Sequence, residues 1–241
     1  QAAEFGMTRL GLTDRDGLYG AVRFAKACLK AGIAPIIGVD LAVVPAGWQP
    51  ERLPTAARGG QLRDPRLPRA TMWATSRSGW GRLCELITAA HATSRDAATV
   101  TLETIAQHCA GHDVVVGLGA DSQAGRLLVQ GRLDDATHEV ARWRDELGGG
   151  VVVAATNHHT SGRGVASAHQ AAGLLRVAER LRLPAVATNM VRMARREQAA
   201  IVDVLDAARR RVPLDMRNID RANAEGYLKP EPAMRAAVDE A

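Results

Sequence analysis

One stretch, LTDRDGLYGAVRFAKACLKAGIAPIIGVD from Leu12 to Asp40, constrains the fold more than any other part of the chain. It reads as a strand end, a sharp acidic turn, an amphipathic helix and a second apolar strand that closes on another acid. The turn Thr13 to Gly17 places Asp14, Arg15 and Asp16 just before the helix, where side-chain oxygens cap free backbone N–H groups. Leu18, Val22, Ala25 and Leu29 recur at helical spacing, which predicts one stripe facing the core. Gly32 ends the helix. The run Pro35-Ile36-Ile37-Gly38-Val39 is apolar at successive positions, which suits a strand buried on both faces. Asp14 and Asp40 therefore fall at the carboxyl ends of parallel strands, where an α/β fold gathers its polar chemistry.

The same grammar continues along the chain. Strands are predicted over Thr8 to Leu12, over Ala70 to Ser76, Val114 to Leu118, Val151 to Ala155 and Pro184 to Thr188, and Leu41 to Val44 extends the second strand that begins at Pro35. Between them fall helices over Trp80 to His91, Leu102 to Cys109, Ser122 to Gln130, Asp134 to Leu147 (with Asp134 as N-cap), Val165 to Leu181 and Arg195 to Arg211. The Val165 helix is expected to face inward with Val165, Ala168, Ala172, Leu175 and Leu181, and the Arg195 helix gathers Ile201, Val204, Leu205 and Ala208 on one side. Pro45 to Pro68, rich in Pro, Gly and Arg, reads as a surface loop or hairpin arm. Strand and helix alternate about six times with wholly apolar strands, which predicts an α/β fold with right-handed crossovers and a parallel sheet. Periodicity does not choose between a closed barrel and an open sheet. Gln1 to Val212 reads as one domain, and from Pro213 to Ala241 the turn chemistry and broken periodicity read as the start of the next module.

Composition narrows the class. With 46% hydrophobic and 24% charged residues, the 241-residue chain is of ordinary globular type. No apolar run reaches the ~20 residues that span a bilayer, and no signal-peptide pattern opens the chain, so the expected setting is cytoplasmic. The chain opens on Gln and enters almost at once into the strand–turn–helix unit, as a piece of a longer protein would. Cys28, Cys84 and Cys109 are far apart and form no CxxC pair, so neither a zinc site nor a disulfide framework is indicated. The net charge of +5 is a weak hint of polyanionic partners. Its distribution says more: Arg192, Arg195, Arg196, Arg209, Arg210, Arg211, Arg217 and Arg221 crowd the last quarter. They read either as a solvated helix face or as a nucleic-acid or inter-domain contact. GxGxxG, GxxxxGK[ST] and GxSxG signatures are absent from the sequence. GLGADSQAG (Gly117 to Gly125) reads as a tight strand-to-helix turn or as an anion cradle at Ser122.

With these residues laid out, the chain resembles the N-terminal PHP (polymerase and histidinol phosphatase) domain of bacterial replicative-type DNA polymerases, in particular the error-prone, translesion form of the DNA polymerase III alpha subunit. The stretches that carry the likeness are LTDRDGLYGAVRFAKACLKAGIAPIIGVDL, GWGRLCELITAAH, GLGADSQAGRLL, LPAVATNMVR, VLDAARRRVPLD and IDRANAEGYLK. The resemblance implies a distorted, mostly parallel (β/α)7 barrel, incomplete at its N-terminus, with the polymerase active site beyond Ala241. It also implies a parent chain that copies DNA with Mg2+ in translesion synthesis and repair. The implied partners are the rest of that chain, DNA, and replication or mutagenesis proteins.

Metal-binding members of the family hold divalent cations with carboxylates and histidines at the strand ends, an arrangement suited to phosphoester hydrolysis. Here the set is incomplete. The first motif, a histidine pair, would precede Gln1. Asp14 is kept, but Arg15 stands where the motif has histidine. Asp40 is kept, His158 or His159 matches the middle histidine, and the final Asp-x-His motif is Met190 and Arg192. Arginine has no lone pair for a metal, and a thioether is a poor ligand for a hard ion. The resemblance thus implies a degenerate pocket, with remnants Asp14, Asp40, His158 and His159 and with no catalytic residue, metal or cofactor in this chain. Asp14 and Asp40 in one pocket would repel each other without positive charge between them. Arg15 or Arg192 is expected either to supply that charge as a guanidinium fork or to point into water. A metal-dependent phosphoesterase or 3′–5′ exonuclease, and an independent small-ligand domain, are the competing readings.

Overall fold

The computed structural model describes residues 1–48, 66–93, 98–111, 113–215, 219 and 221–241. Most of the predicted arm from Pro45 to Pro68, as well as Arg217, lies outside them. The strands are β1 (Arg9–Arg15), β2 (Ala34–Val43), β3 (Arg69–Ala74), β4 (Thr99–Val100), β5 (Val114–Leu118), β6 (Val151–Ala155) and β7 (Ala185–Ala187). The helices are α1 (Ala21–Lys30), α2 (Arg77–Thr93), α3 (Leu102–Cys109), α4 (Gln123–Val129), α5 (Leu133–Leu147), α6 (Ala168–Leu181), α7 (Ala199–Arg210, preceded by a 3-10 turn Arg196–Gln198) and α8 (Glu231–Asp239).

Local chemistry sets the boundaries. Thr101, Ser122 and Ser167 stand before α3, α4 and α6 in extended conformation, and each side-chain oxygen accepts the N–H three residues on. Gly32, at φ +70°, follows α1, where its lack of a Cβ makes the left-handed conformation inexpensive. Asp134 lies in the first turn of α5 rather than at its cap, which is Arg132.

The strands form one curled sheet in the order β1-β2-β3-β5-β6-β7, with β4 added beside β2. β1–β2, β2–β4, β5–β6 and β6–β7 are parallel, so the sheet is mostly parallel, as expected for this α/β class. β3 departs from a uniformly parallel sheet, running antiparallel to both β2 and β5. An antiparallel neighbour needs no crossover helix to reach its place in the sheet. The consequence is functional. The start of β3, Arg69, lies at the same mouth as the ends of β1 and β2, with Arg69 opposite Ala42 and Arg15 opposite Asp40.

The core lies between the sheet and α2, α3, α5 and α6, where Leu41, Met72, Leu86, Ile105, Val116 and Leu174 are fully enclosed. Three helix faces and one strand correct the expectations. α1 turns Ala21 and Cys28 inward and leaves Val22 and Leu29 exposed. α6 buries Gln170, Ala171, Leu174, Val177 and Ala178, while Val165 lies exposed before the helix. α7 buries Val202, Asp203, Asp206 and Arg210 and exposes Ile201, Val204 and Leu205. These helices are rich in alanine on more than one side, so periodicity of bulky residues does not single out the face that small residues bring closest to the body. The fourth difference is β7, exposed along its whole length where a buried strand is predicted. None of the helices among the described residues is long and apolar enough to cross a membrane.

Candidate functional site

The mouth formed by the carboxyl ends of β1 and β2 and the start of β3 gathers three acids and one arginine. Asp14, near the end of β1, accepts the Gly20 N–H at 2.5 Å and fixes the start of α1. Asp16 takes a left-handed turn (φ 59°), a conformation aspartate tolerates, and donates its N–H to Asp40 O at 2.9 Å. Its own carbonyl accepts from His91 Nε2 on α2 at 2.8 Å, so that nitrogen carries the proton. Arg69 then closes the cluster. Its Nε donates to Asp40 Oδ2 at 2.5 Å, and its Nη2 donates to Asp16 Oδ1 at 2.7 Å and to Asp40 O at 2.6 Å. Its backbone N–H donates to Asp121 O at 3.0 Å.

The cation between the acids is therefore Arg69, not Arg15 or Arg192, and the acids it joins are Asp16 and Asp40, not Asp14 and Asp40. Arg15 Nε stands 3.6 Å from Asp16 Oδ2, and its charge also acts on Asp40 and Asp206. Arg192 points to α7, where Nη1 and Nη2 grip both oxygens of Asp206 at 2.7 and 2.9 Å. Burial pushes the Asp40 carboxyl up and Arg69 pulls it back, leaving it above its ordinary value. Burial also pushes Asp206 up, but the hydrogen bond and charge of Arg192, with Arg209 and Arg15, hold it below its ordinary value.

The ends of β6 and β7 take a different role. His158 Nε2 donates to Asn189 O at 2.9 Å, and burial lowers the imidazole pKa. His158 follows β6, whose carboxyl end lies on the same side of the sheet as those of β1 and β2, so it belongs to the same mouth. His159 turns away and pairs through Nδ1 with Glu240 at 2.8 Å. Asn157 donates to Ala237 O at 2.8 Å, and Asn223 donates to His158 O at 2.7 Å. Asn189 donates to Glu225 O and Tyr227 O at 2.8 and 2.6 Å, and accepts from the buried Lys229 Nζ at 3.3 Å. Lys229 also pairs with Glu225, which Arg196 engages from the other side. Residues 223–240 are thus strapped across the strand ends by the side chains of Asn157, Asn189 and His159 and by the His158 carbonyl. Met190, in left-handed conformation (φ 42°), contributes no ligand geometry.

The predicted basic cluster is divided. Arg195 and Arg211 are exposed, Arg196 lies 5.7 Å over the Tyr227 ring, Arg210 is buried, and Arg209 Nε stands 3.9 Å from Asp206. The Gly117 to Gly125 segment is a tight turn: Ser122 Oγ donates to Gly119 O at 2.6 Å and accepts from Gly125 N at 3.1 Å.

The residues present do not fit a divalent cation at this mouth. Among the described residues no group of three or more His, Cys, Asp or Glu side chains could hold one. Arg69 already neutralises the paired acids, and His158 Nε2 is committed to a carbonyl. Sequence reasoning missed Arg69, His91 and Asn189, and placed Asp16 in the acidic turn without its cation. Arg69 had one visible signal, a lone arginine opening the apolar run RATMWA.

The PHP domain family pattern matches residues 1–158. The chain is 31% identical over 257 residues to the error-prone DNA polymerase of Anaeromyxobacter dehalogenans, covering 99% of this chain and 19% of that one. The error-prone DNA polymerase of Cutibacterium acnes is 30% identical over 239 residues (98% and 19%), and that of Symbiobacterium thermophilum 29% over 254 residues (97% and 21%). The chain thus spans about a fifth of the length of the curated relatives it matches. A Bifidobacterium adolescentis structure assigned as a metal-dependent phosphoesterase is similar at a TM-score of 0.30 and 17% identity, covering 100% of this chain and 88% of that one. That likeness carries no weight for fold or chemistry. With the family pattern matched over well more than half its length, the chain belongs to the PHP domain family.

Proposed function

We propose that this chain is the PHP domain of an error-prone DNA polymerase of the DNA polymerase III alpha type, and that the domain is a structural module with no hydrolytic centre of its own. The parent chain would copy DNA across damage in the cytoplasm with Mg2+ at a site outside this domain, with DNA and replication proteins as partners. The observation that carries the non-catalytic part is the Arg69 guanidinium bonded to Asp16 and Asp40. Activating a water at neutral pH needs a metal or a free base, and fixed positive charge supplies neither. What it does supply is cohesion, tying together the ends of three strands. The error-prone polymerase relatives support the polymerase part.

The test has two arms. The full parent chain is expected to extend a primer past an abasic site with Mg2+, and failure on both damaged and undamaged templates would remove the polymerase reading. The same chain, with its polymerisation site inactivated, is expected to leave a labelled 3′ end intact. Chelator-sensitive loss of 3′ nucleotides would instead favour a metal-dependent exonuclease.

A further inference from the structure

We infer that the outward face of α7 is a docking ridge for an amphipathic helix with acidic flanks, supplied by the part of the polymerase chain outside this domain. The inference rests on the polymerase reading above.

The starting observation is an inverted helix. In a helix that packs only on its own domain, aliphatic residues turn inward and charges turn to water. α7 does the reverse: Ile201, Val204 and Leu205 are 58%, 50% and 62% exposed, while Asp203, Asp206 and Arg210 are buried. The orientation is locked. Asp203 is gripped at both oxygens by Arg221, each at 2.7 Å, and Asp206 at both oxygens by Arg192. Rotating the helix to bury the aliphatics would break four charge-assisted hydrogen bonds and expose two paired acids. The ridge therefore stays outside whatever the domain does.

Its shape and charge specify the partner. Ala200, Ile201, Val204, Leu205 and Ala208 form a continuous seam along the helix, roughly 12 Å at 1.5 Å per residue. Exposed Leu214 follows the helix. A seam of this period takes an apolar helix face with anchors three and four residues apart. Exposed Arg195 before the helix and Arg211 at its end favour acidic side chains on the rim of the incoming helix. Duplex DNA would leave the aliphatic seam unused. The relatives supply a source for the helix, since about four fifths of their length lies outside the part this chain matches.

The test uses the full parent chain with a photo-crosslinking benzoylphenylalanine at position 205, irradiated with and without primer–template. The expected product is an intramolecular crosslink to a peptide outside residues 1–241, unchanged by DNA. A crosslink to DNA, to a second copy or within residues 1–241, or no crosslink, would overturn the inference. As an independent measure, Leu205→Asp in the full chain should raise the rate of proteolytic cleavage between this domain and the remainder about tenfold, while Lys26→Ser, on the exposed side of α1 and outside the seam, should leave it unchanged. An unchanged rate in Leu205→Asp would also overturn it. Primer extension by the unsubstituted chain reports separately: loss of that activity sinks the polymerase reading, whatever the crosslink shows.

Discussion

Arg69 concentrates the physics of this site at the scale of a single residue. It is a buried cation whose desolvation is offset because Asp16 and Asp40 both present carboxylate oxygens to one guanidinium fork. Arg69→Ala should cost about 3–5 kcal/mol, since it leaves two carboxylates facing each other with only the more distant Arg15 to offset them. It should also drive the Asp40 carboxyl further up, because burial would then act with less opposition. Thermal unfolding and carboxyl NMR titration check the two parts, and a loss below ~1 kcal/mol would show that the pair is solvated. His158 makes the second prediction. Burial depresses its pKa below the ordinary 6.5, so the unfolded chain takes up the proton first as pH falls. Stability should therefore fall as pH drops from 6.5 toward the folded-state value, and His158→Gln should flatten that slope in denaturant titrations. Asp206 works in a different window. Its depressed pKa contributes stability above the ordinary value of 3.8, lost as pH falls through the folded-state value.

At the scale of the element, α7 shows how ion pairs can set the rotation of a helix. It meets the small apolar cluster of Met193, Ala199 and Val202, but its acids fix its angular position. Asp206→Asn should cost about 1.5–3 kcal/mol, the usual worth of hydrogen bonds to a charged group. The same change should speed amide hydrogen exchange across α7 while leaving α5 protected. Equal speeding in both helices would mean that α7 is not a separate unit. β2 and β3 are coupled differently, by close backbone approach. A Cβ at Gly38 would collide with Met72 O, so Gly38→Ala should destabilise the domain by pushing the antiparallel pair apart.

On the scale of the whole molecule, the two halves of the mouth have divided their tasks. The β1–β2–β3 half is closed by an internal cation, and the β6–β7 half holds the chain's own later segment. Millimolar Mn2+ is accordingly expected to leave the melting temperature within about a degree, since a ligand that does not bind the native state cannot stabilise it. A rise of several degrees, by scanning calorimetry, would show that a cation competes with Arg69 after all. Asn189→Ala should free residues 223–229, because it removes one acceptor of the buried Lys229, leaving Glu225, together with two donated hydrogen bonds. Faster limited proteolysis near Tyr227, with the core elements still protected, is the expected signature.

What the sequence by itself determined is what short-range physics writes. The strand and helix positions follow from apolar period, serine and threonine caps and Gly32, and the acidic turn at Asp14–Asp16 follows from capping demand. The family likeness lay there too, carried by stretches such as LTDRDGLYGAVRFAKACLKAGIAPIIGVDL and LPAVATNMVR. What only the tertiary structure decided depends on contacts between distant positions. Arg69 meets Asp40 because β3 runs antiparallel, and no periodicity in RATMWA encodes a strand's direction. α7 turns its aliphatics outward because Asp203 and Asp206 find Arg221 and Arg192, partners lying outside the helix itself. His158 and His159, adjacent in the chain and indistinguishable as text, part at a left-handed turn, one to the mouth and the other to Glu240. Local patterns report what a segment can become, but the placement of charge is settled by which distant residue arrives to neutralise it.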